Sequence, residues 1–429
     1  MFNKYNKVTR RRRNRGGKPV FAGAQGCVFI PSLKCKGRAR NMNDGNISKL
    51  GDKESSDFEM REYAKIIPFI RKIRNHQKYF NIRVSSCEPD VLSTSDLINF
   101  NEVCGNFKRD SITADTVNAN LDKLRAINMP NLGMDCAEWM DKMPLDARRL
   151  RLLNNHISEL LLHAVAPMNA LGVMHNDLKS ENLMMDLKED KLRIIDWGLA
   201  GVTSPHQVIP ARYFMNNPVT YNRPFSTMII SSEIDDWVRN YVSQRRVTAP
   251  EDLRPFVNGL YDEYRKFAPS GHMYLTYIFE AMFNLTAEAA SAALTAEIEK
   301  YNAGILYHFT SADGKFRLHE YFDKVYRYNT DVWGTLSVFY SMFMLPRDHF
   351  IMSDAVHQSM LNQYRSLFRT VFMNGHMRMN VRSIVKQLQQ INQLFAPSKA
   401  SVKAVRFNVQ SHTLRRRPVK RVPTPHPHA

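Results

Sequence analysis

The sequence predicts an α+β fold in two parts, a small strand-rich N-terminal part and a larger helical C-terminal part. Three observations carry that prediction. Short strand-like runs at residues 20–21, 27–30 and 46–50 crowd the beginning of the chain. Apolar residues then recur at helical spacing, first as Tyr63, Ile66, Ile67, Ile70 and Ile73, later as Leu152, Leu153, Ile157, Leu160, Leu161 and Val165. From about residue 205 to 395 the chain reads as mostly helical, with one polar, glycine-bearing break at 311–315.

Between these parts, residues 82–134 look mixed, with a helix expected near 116–126. Two short strands, 183–185 and 192–195, follow the helix expected over 148–171. Residues 1–20 carry eight Lys/Arg and no acid, and residues 401–429 carry seven and no acid. The tails therefore hold most of the net charge of +19, and the body is nearly balanced. Residues 1–19 lack apolar periodicity and read as a basic, disordered arm; 396–429 read as a basic tail rich in Pro, Arg and His. Such tails suit nucleic acid, an anionic surface or acidic substrates. No apolar run reaches the ~18 residues of a membrane span, and no signal-peptide pattern follows the basic start. A soluble, intracellular protein is expected. The five cysteines show no metal-ligand spacing and are read as ordinary reduced thiols.

The chemistry concentrates in His175-Asn176-Asp177-Leu178-Lys179-Ser180-Glu181-Asn182, which lies between the amphipathic helix and a strand. Asp196 follows within Ile194-Ile195-Asp196-Trp197-Gly198-Leu199-Ala200. Phosphoryl transfer needs positioning and charge neutralisation more than covalent help. One carboxylate must accept the incoming hydroxyl's proton, and hard oxygen ligands must hold Mg²⁺ against phosphates. Asp177 suits the first role and Asn182 with Asp196 the second, while Lys179 can neutralise the phosphoryl group in transit.

These residues resemble the catalytic loop H-R-D-L-x-x-x-N and the D-F-G motif of the eukaryotic-type protein kinases, with Asn176 replacing Arg and Trp197 replacing Phe. The resemblance spans about residues 20–395. It implies a bilobal fold with an N-lobe over 20–134, a C-lobe over 135–395, ATP with Mg²⁺, and protein substrates. More narrowly, the stretches at 26–35, 47–50 and 221–226 are similar to serine/threonine kinases of large nucleocytoplasmic DNA viruses. That likeness implies a host-cytoplasmic or virion setting; the basic tails leave the nucleus open. Lys179 after Asp177-Leu178 resembles the serine/threonine form of the loop.

The resemblance assigns further residues. Gly23, Gly26 and Val28 fit the latter part of a glycine-rich loop over the nucleotide phosphates. Lys49 is the expected ATP lysine, with Lys34 as competitor, and Glu62 is preferred to Glu59 as its partner because it leaves room for a strand–helix connection. An Asp-x-Trp should open a buried helix below the catalytic loop. Asp331-Val332-Trp333, followed by an apolar run, is preferred to Asp235-Asp236-Trp237, which implies an insertion within 205–330.

No Ala-Pro-Glu ends the activation segment. Asn176 lacks the cation that grips a phosphorylated segment, so constitutive activity is expected. Two other readings compete. Aminoglycoside- and choline-type small-molecule kinases are similar in their His-x-Asp-x-x-x-x-Asn and Ile-Asp-Trp patterns. A nucleic-acid-binding protein with a dead kinase body would use the tails.

Overall fold

A computed structural model describes residues 18–23, 26–38, 45–186, 189–203 and 219–395. Most of the basic arm and the whole tail at 396–429 lie outside the described residues, as do Ala24 and Gln25.

β1 (Lys18–Gly23) and β2 (Gly26–Ile30) form an antiparallel hairpin in which Gly23 stands opposite Gly26. Cys27 and Phe29 alternate into the core, as a half-buried strand requires. β3 (Asn46–Asp52), β4 (Ser85–Cys87) and β5 (Leu124–Pro130) complete a sheet ordered β1-β2-β3-β5-β4, antiparallel throughout. Gly26 is needed for the close approach of β2 to β3: a Cβ there would stand 2.6 Å from the Leu50 carbonyl oxygen. One face of the sheet carries a small core in which Phe29, Leu50, Phe100, Phe107, Ile112 and Val117 are buried.

The helix expected near 116–126 does not form. Two 3₁₀ turns, Val117–Ala119 and Leu121–Lys123, lead instead into β5. Asn118 spends its amide on both backbone groups of Leu92, at 2.8 and 3.0 Å. Ala126 and Ile127 are buried between β3 and β4. These tertiary contacts override a weak local preference.

β3 runs straight into α1 (Lys53–Ile70), whose first turn is capped by Asp52 accepting from the Ser55 amide at 2.8 Å. β6 (Met134–Asp135), α2 (Cys136–Lys142) and β7 (Leu145–Asp146) then lead to α3 (Ala147–Leu160). α3 continues through a π turn at Leu161–Val165 and a last stretch to Ala170. Pro167 accounts for the wide turn: it lacks an N–H, and its ring crowds the carbonyl four residues back. β8 (Val173–Met174), β9 (Leu183–Asp186), β10 (Lys191–Ile194) and β11 (Gly201–Val202) surround the catalytic-loop sequence. β9 pairs with both β10 and β6, and β8 pairs with β11.

The remainder is helical: α4 (Ile234–Ser243), α5 (Arg254–Phe267), α6 (Pro269–Phe283), α7 (Ala287–Phe309) and α8 (Arg327–Leu336). A short strand, β12 (Phe350–Ile351), joins β7 in parallel before α9 (Asp354–Met373) and α10 (Val381–Leu394). Trp333 of α8 anchors the large core, with Phe225, Phe372 and Tyr301 at ring-centroid distances of 5.0, 5.3 and 5.9 Å. Tyr261, Phe279 and Ile298, from the stretch read as an insertion, belong to that same core. The extra helices are thus fused to the body. No helix among the described residues is long and apolar enough to cross a membrane.

The cysteines depart from expectation. Cys27 is bonded to Cys104 and Cys35 to Cys87, and only Cys136 keeps a free thiol. Their separations of 77 and 52 residues form no recognisable spacing, so folding alone brings them together. Chain entropy gives each closed loop a stabilisation of roughly 4 kcal/mol. The Cys136 thiol is buried, and burial pushes its pKa up. Native protein should therefore expose no titratable thiol, protein denatured without reductant should expose one, and reduced, denatured protein five. Five reactive thiols in oxidised, denatured protein would contradict the pairing.

Candidate active site

The site is built upward from Asp331, which is fully buried on α8. Its Oδ2 accepts from the His175 amide at 2.8 Å and from Asn169 Nδ2 at 2.6 Å. Its Oδ1 accepts from the Asn176 amide at 2.8 Å. Burial raises the Asp331 pKa, with His175 and these donors opposing the shift. Asp235, the competing candidate, instead accepts from the Phe316 amide and pairs with Arg239. Gly334 lets α8 lie against the loop: a Cβ there would stand 2.5 Å from the Leu178 carbonyl oxygen.

The backbone is unusual at two positions of the candidate site. Asn176 and Asp196 adopt left-handed φ values of 63° and 61°. Asn and Asp tolerate that region better than other non-glycine residues, and such conformations gather at active sites. His175 locks the turn: its Nε2 donates to the Ile195 carbonyl at 2.9 Å, which makes Nδ1 the acceptor facing the Asp177 amide. Trp197 is buried against His175 and Phe80, with ring centroids 5.0 and 5.8 Å away.

The β9–β10 hairpin brings Asn182 and Asp196 to one end. Leu183 pairs with Ile194, so Asn182 and Ile195 leave the hairpin at the same end, where the Ile195 amide donates to the Asn182 carbonyl at 3.1 Å. Asp196 follows directly. Asn182 Nδ2 donates to Asp177 Oδ2 at 3.0 Å and to the Asp177 carbonyl at 2.7 Å. Its amide nitrogen is thus committed, and its Oδ1 remains as an acceptor. Together with the partly exposed Asp196 carboxylate it forms an oxygen donor set that suits Mg²⁺, which typically takes one or two protein carboxylates plus phosphates and water. Lys179 Nζ lies 3.1 Å from Asp177 Oδ2.

Lys49 reaches this centre from β3, where Val28 of β2 is its cross-strand neighbour. Its Nζ is 2.9 Å from Glu59 Oε2 and 3.8 Å from Asp196 Oδ1. Burial alone would lower the Lys49 pKa, but Asp196 and Glu59 outweigh it and leave the pKa raised, so the ammonium stays charged. Burial raises the Glu59 pKa despite the opposing pull of Lys49. Gly23 and Gly26 close the neighbouring hairpin. Lys34, the rejected competitor, pairs with Asp90 at 2.6 Å.

The expected Glu62 pairing is corrected to Glu59. Glu62 is buried one turn further along α1, and its Oε1 lies 2.7 Å from Lys65. The expectation allowed for a connection between β3 and α1, but Asp52 is both the last strand residue and the helix cap. Without a connector, the glutamate ten residues from Lys49 faces back to it; three residues add about 4.5 Å of helix rise.

Against this geometry, the family model of the protein kinase domain matches residues 134–237. A protein kinase domain is present. The match runs from β6 into the first turn of α4 and contains Asp177, Lys179, Asn182 and Asp196. It begins after Lys49 and Glu59 and stops short of Asp331. The kinase domain supports ATP-dependent protein phosphorylation in general, and the mixed helix-and-strand architecture fits a bilobal kinase fold.

Two further residues, not expected from the sequence, touch the loop. Asn222 Nδ2 donates to Asp177 Oδ1 at 2.9 Å, and Arg223 Nε donates to the Asn176 carbonyl at 2.8 Å. Their adjacency in a Tyr-Asn-Arg-Pro stretch was visible, but nothing local tied it to a loop 45 residues earlier. Loss of a hydrogen bond to a charged group costs about 1.5–3 kcal/mol, or roughly 10–100-fold in rate. Glu59→Gln should therefore lower kcat/KM for ATP by about 10–100-fold and Glu62→Gln by less than about threefold. Steady-state kinetics on the two variants checks this, and the reverse ranking would restore Glu62.

Proposed function

We propose that the protein transfers the γ-phosphoryl group of ATP to serine and threonine hydroxyls of protein substrates. The observation that carries this reading is the Asp177 carboxylate, held by Asn182 and Lys179 and joined through the β9–β10 hairpin to Asp196 and Lys49.

A substrate hydroxyl entering beside Asp177 would hydrogen-bond to its carboxylate. As the hydroxyl oxygen attacks, an O–P bond forms, the bond to the bridging oxygen of ADP breaks, and the proton passes to Asp177. Lys179 stands beside Asp177 to offset charge on the moving phosphoryl group. Lys49, kept protonated by its two carboxylates, would bind phosphate oxygens, and Glu59 fixes its direction. The amides of the hairpin around Gly23 and Gly26 would cover the phosphates. Mg²⁺ held by Asn182 and Asp196 would supply neutralisation of the phosphate charge.

Position 176 supports activity without a phosphorylated activation segment. Asn176 offers no cation; its side chain donates to the Leu199 carbonyl at 3.1 Å, and its own carbonyl is taken by Arg223. The likeness to viral kinases supports a virus particle or host cytoplasm as the setting. Of these, two disulfides favour the more oxidising one.

The test incubates purified protein with labelled ATP and Mg²⁺, offering mixed proteins in one arm and aminoglycosides and amino alcohols in the other. Label should enter protein as phosphoserine and phosphothreonine. Asp177→Asn should reduce incorporation by about 10²–10⁴-fold, and Asp196→Asn should abolish its dependence on Mg²⁺ by removing the activity itself. Labelling confined to small molecules, or to tyrosine, would overturn the reading. Phosphatase treatment of the enzyme beforehand should leave the rate unchanged; loss of activity would show that phosphorylation is required.

A further inference from the structure

We propose that Asn222 is a positioning residue for the phosphoryl-transfer base, orienting the Asp177 carboxylate from a segment outside the catalytic loop. This rests on the kinase reading and names a group that the reading does not require.

Asn222 is buried, and its amide is fixed in direction at both ends. Nδ2 donates to Asp177 Oδ1 at 2.9 Å and to the Leu178 carbonyl at 3.3 Å, while Oδ1 accepts from Thr220 Oγ1 at 2.9 Å. The other oxygen of Asp177, Oδ2, is held by Asn182 Nδ2 and Lys179 Nζ. An ionised carboxylate offers about four lone-pair sites. Three donors from the described residues fill three of them, leaving one on Oδ1, the oxygen Asn222 aims. A carboxylate held on one oxygen could still rotate about its Cβ–Cγ bond. Held on both, it presents a single direction to the incoming hydroxyl.

The segment carrying Asn222 is itself pinned on either side. Trp333 Nε1 donates to the Tyr221 carbonyl at 3.0 Å, and Arg223 Nε donates to the Asn176 carbonyl at 2.8 Å. Gly334 leaves the space: a Cβ there would come within 3.0 Å of the Asn222 carbonyl oxygen and 2.5 Å of that of Leu178. Asn222, Leu178 and α8 thus meet at one point, directly behind the base. Glycine at 334 therefore serves the catalytic loop and the Asn222 segment together.

Asn222→Ala, Asn222→Ser and Asn222→Asp are compared with wild type and Asp177→Asn in the full-length protein. The readouts are kcat on a protein substrate, KM for ATP, nucleotide affinity and melting temperature. Asn222→Ala should lower kcat by about 10–100-fold, the effect of removing a hydrogen bond to a charged group. KM for ATP and nucleotide affinity should stay within about twofold, because Asn222 touches the base and not the nucleotide elements. Asn222→Ser, which keeps a shorter donor, should recover part of the loss. Asn222→Asp, equal in shape but an acceptor facing an acceptor, should lose at least as much as Asn222→Ala. A purely structural role would lower melting temperature and nucleotide affinity in step with kcat and leave no donor-dependent ranking; that outcome overturns the inference. So does a folded Asn222→Ala with wild-type kcat while Asp177→Asn is inactive, which leaves the kinase reading standing. Should Asn222→Ala fail to fold, the ranking of Asn222→Ser against Asn222→Asp decides. Wild-type protein that phosphorylates no protein substrate would instead sink the kinase reading itself.

Discussion

One buried carboxylate organises the candidate site. Asp331 lies without solvent at the heart of α8, where an uncompensated charge would be strongly unfavourable. It is stabilised by the two successive loop amides of His175 and Asn176 and by the Asn169 side chain. The compensation works in both directions. The loop amides would be costly to bury without the carboxylate, and the carboxylate without the amides. The loop is therefore anchored to an aromatic cluster, since Trp333, two residues from Asp331, packs against Phe225, Tyr301 and Phe372.

From that anchor the rest follows by short steps. The left-handed turn at Asn176 directs Asp177 outward, and the β9–β10 hairpin returns Asp196 to the same end as Asn182. The uninterrupted passage from β3 into α1 delivers Lys49 and Glu59 as a preformed pair. Three separate pieces of chain, the sheet, the loop with its hairpin, and the 220–223 segment, thus converge on two carboxylates. The sheet and the hairpin are hydrogen-bonded strands, and the 220–223 segment is pinned by Trp333 and Arg223, as accurate positioning demands.

Part of this arrangement could be read in the chain because some of its contacts are local. Asp177, Asn182 and Asp196 fall within one loop and one hairpin, and the resemblance of the two motifs marks them as a group. Asp331 was legible through the apolar run after it, which suits a buried helix better than the polar residues after Trp237. The choice between Glu59 and Glu62 is not legible, because helix phase depends on where a helix begins, and the absence of any connector at Asp52 leaves no mark in composition. Asn222 and Arg223 act across 45 and 47 residues, and the disulfides across 52 and 77, distances over which only tertiary packing sets the partner. Sheet neighbours, rather than its own residues, decide the conformation of Leu124–Pro130, so its first residues read as the end of a helix.

The most direct measurement of the anchoring role of Asp331 is native-state hydrogen exchange at the His175 and Asn176 amides, in wild type and in Asp331→Asn. Replacing one carboxylate oxygen by an NH₂ group sets donor against donor at about 1–3 kcal/mol, or roughly 5–150-fold in opening. Exchange at these two amides should accelerate by that factor while amides in the middle of α3 keep their protection. Unchanged exchange at His175 and Asn176 in a folded variant would contradict the account.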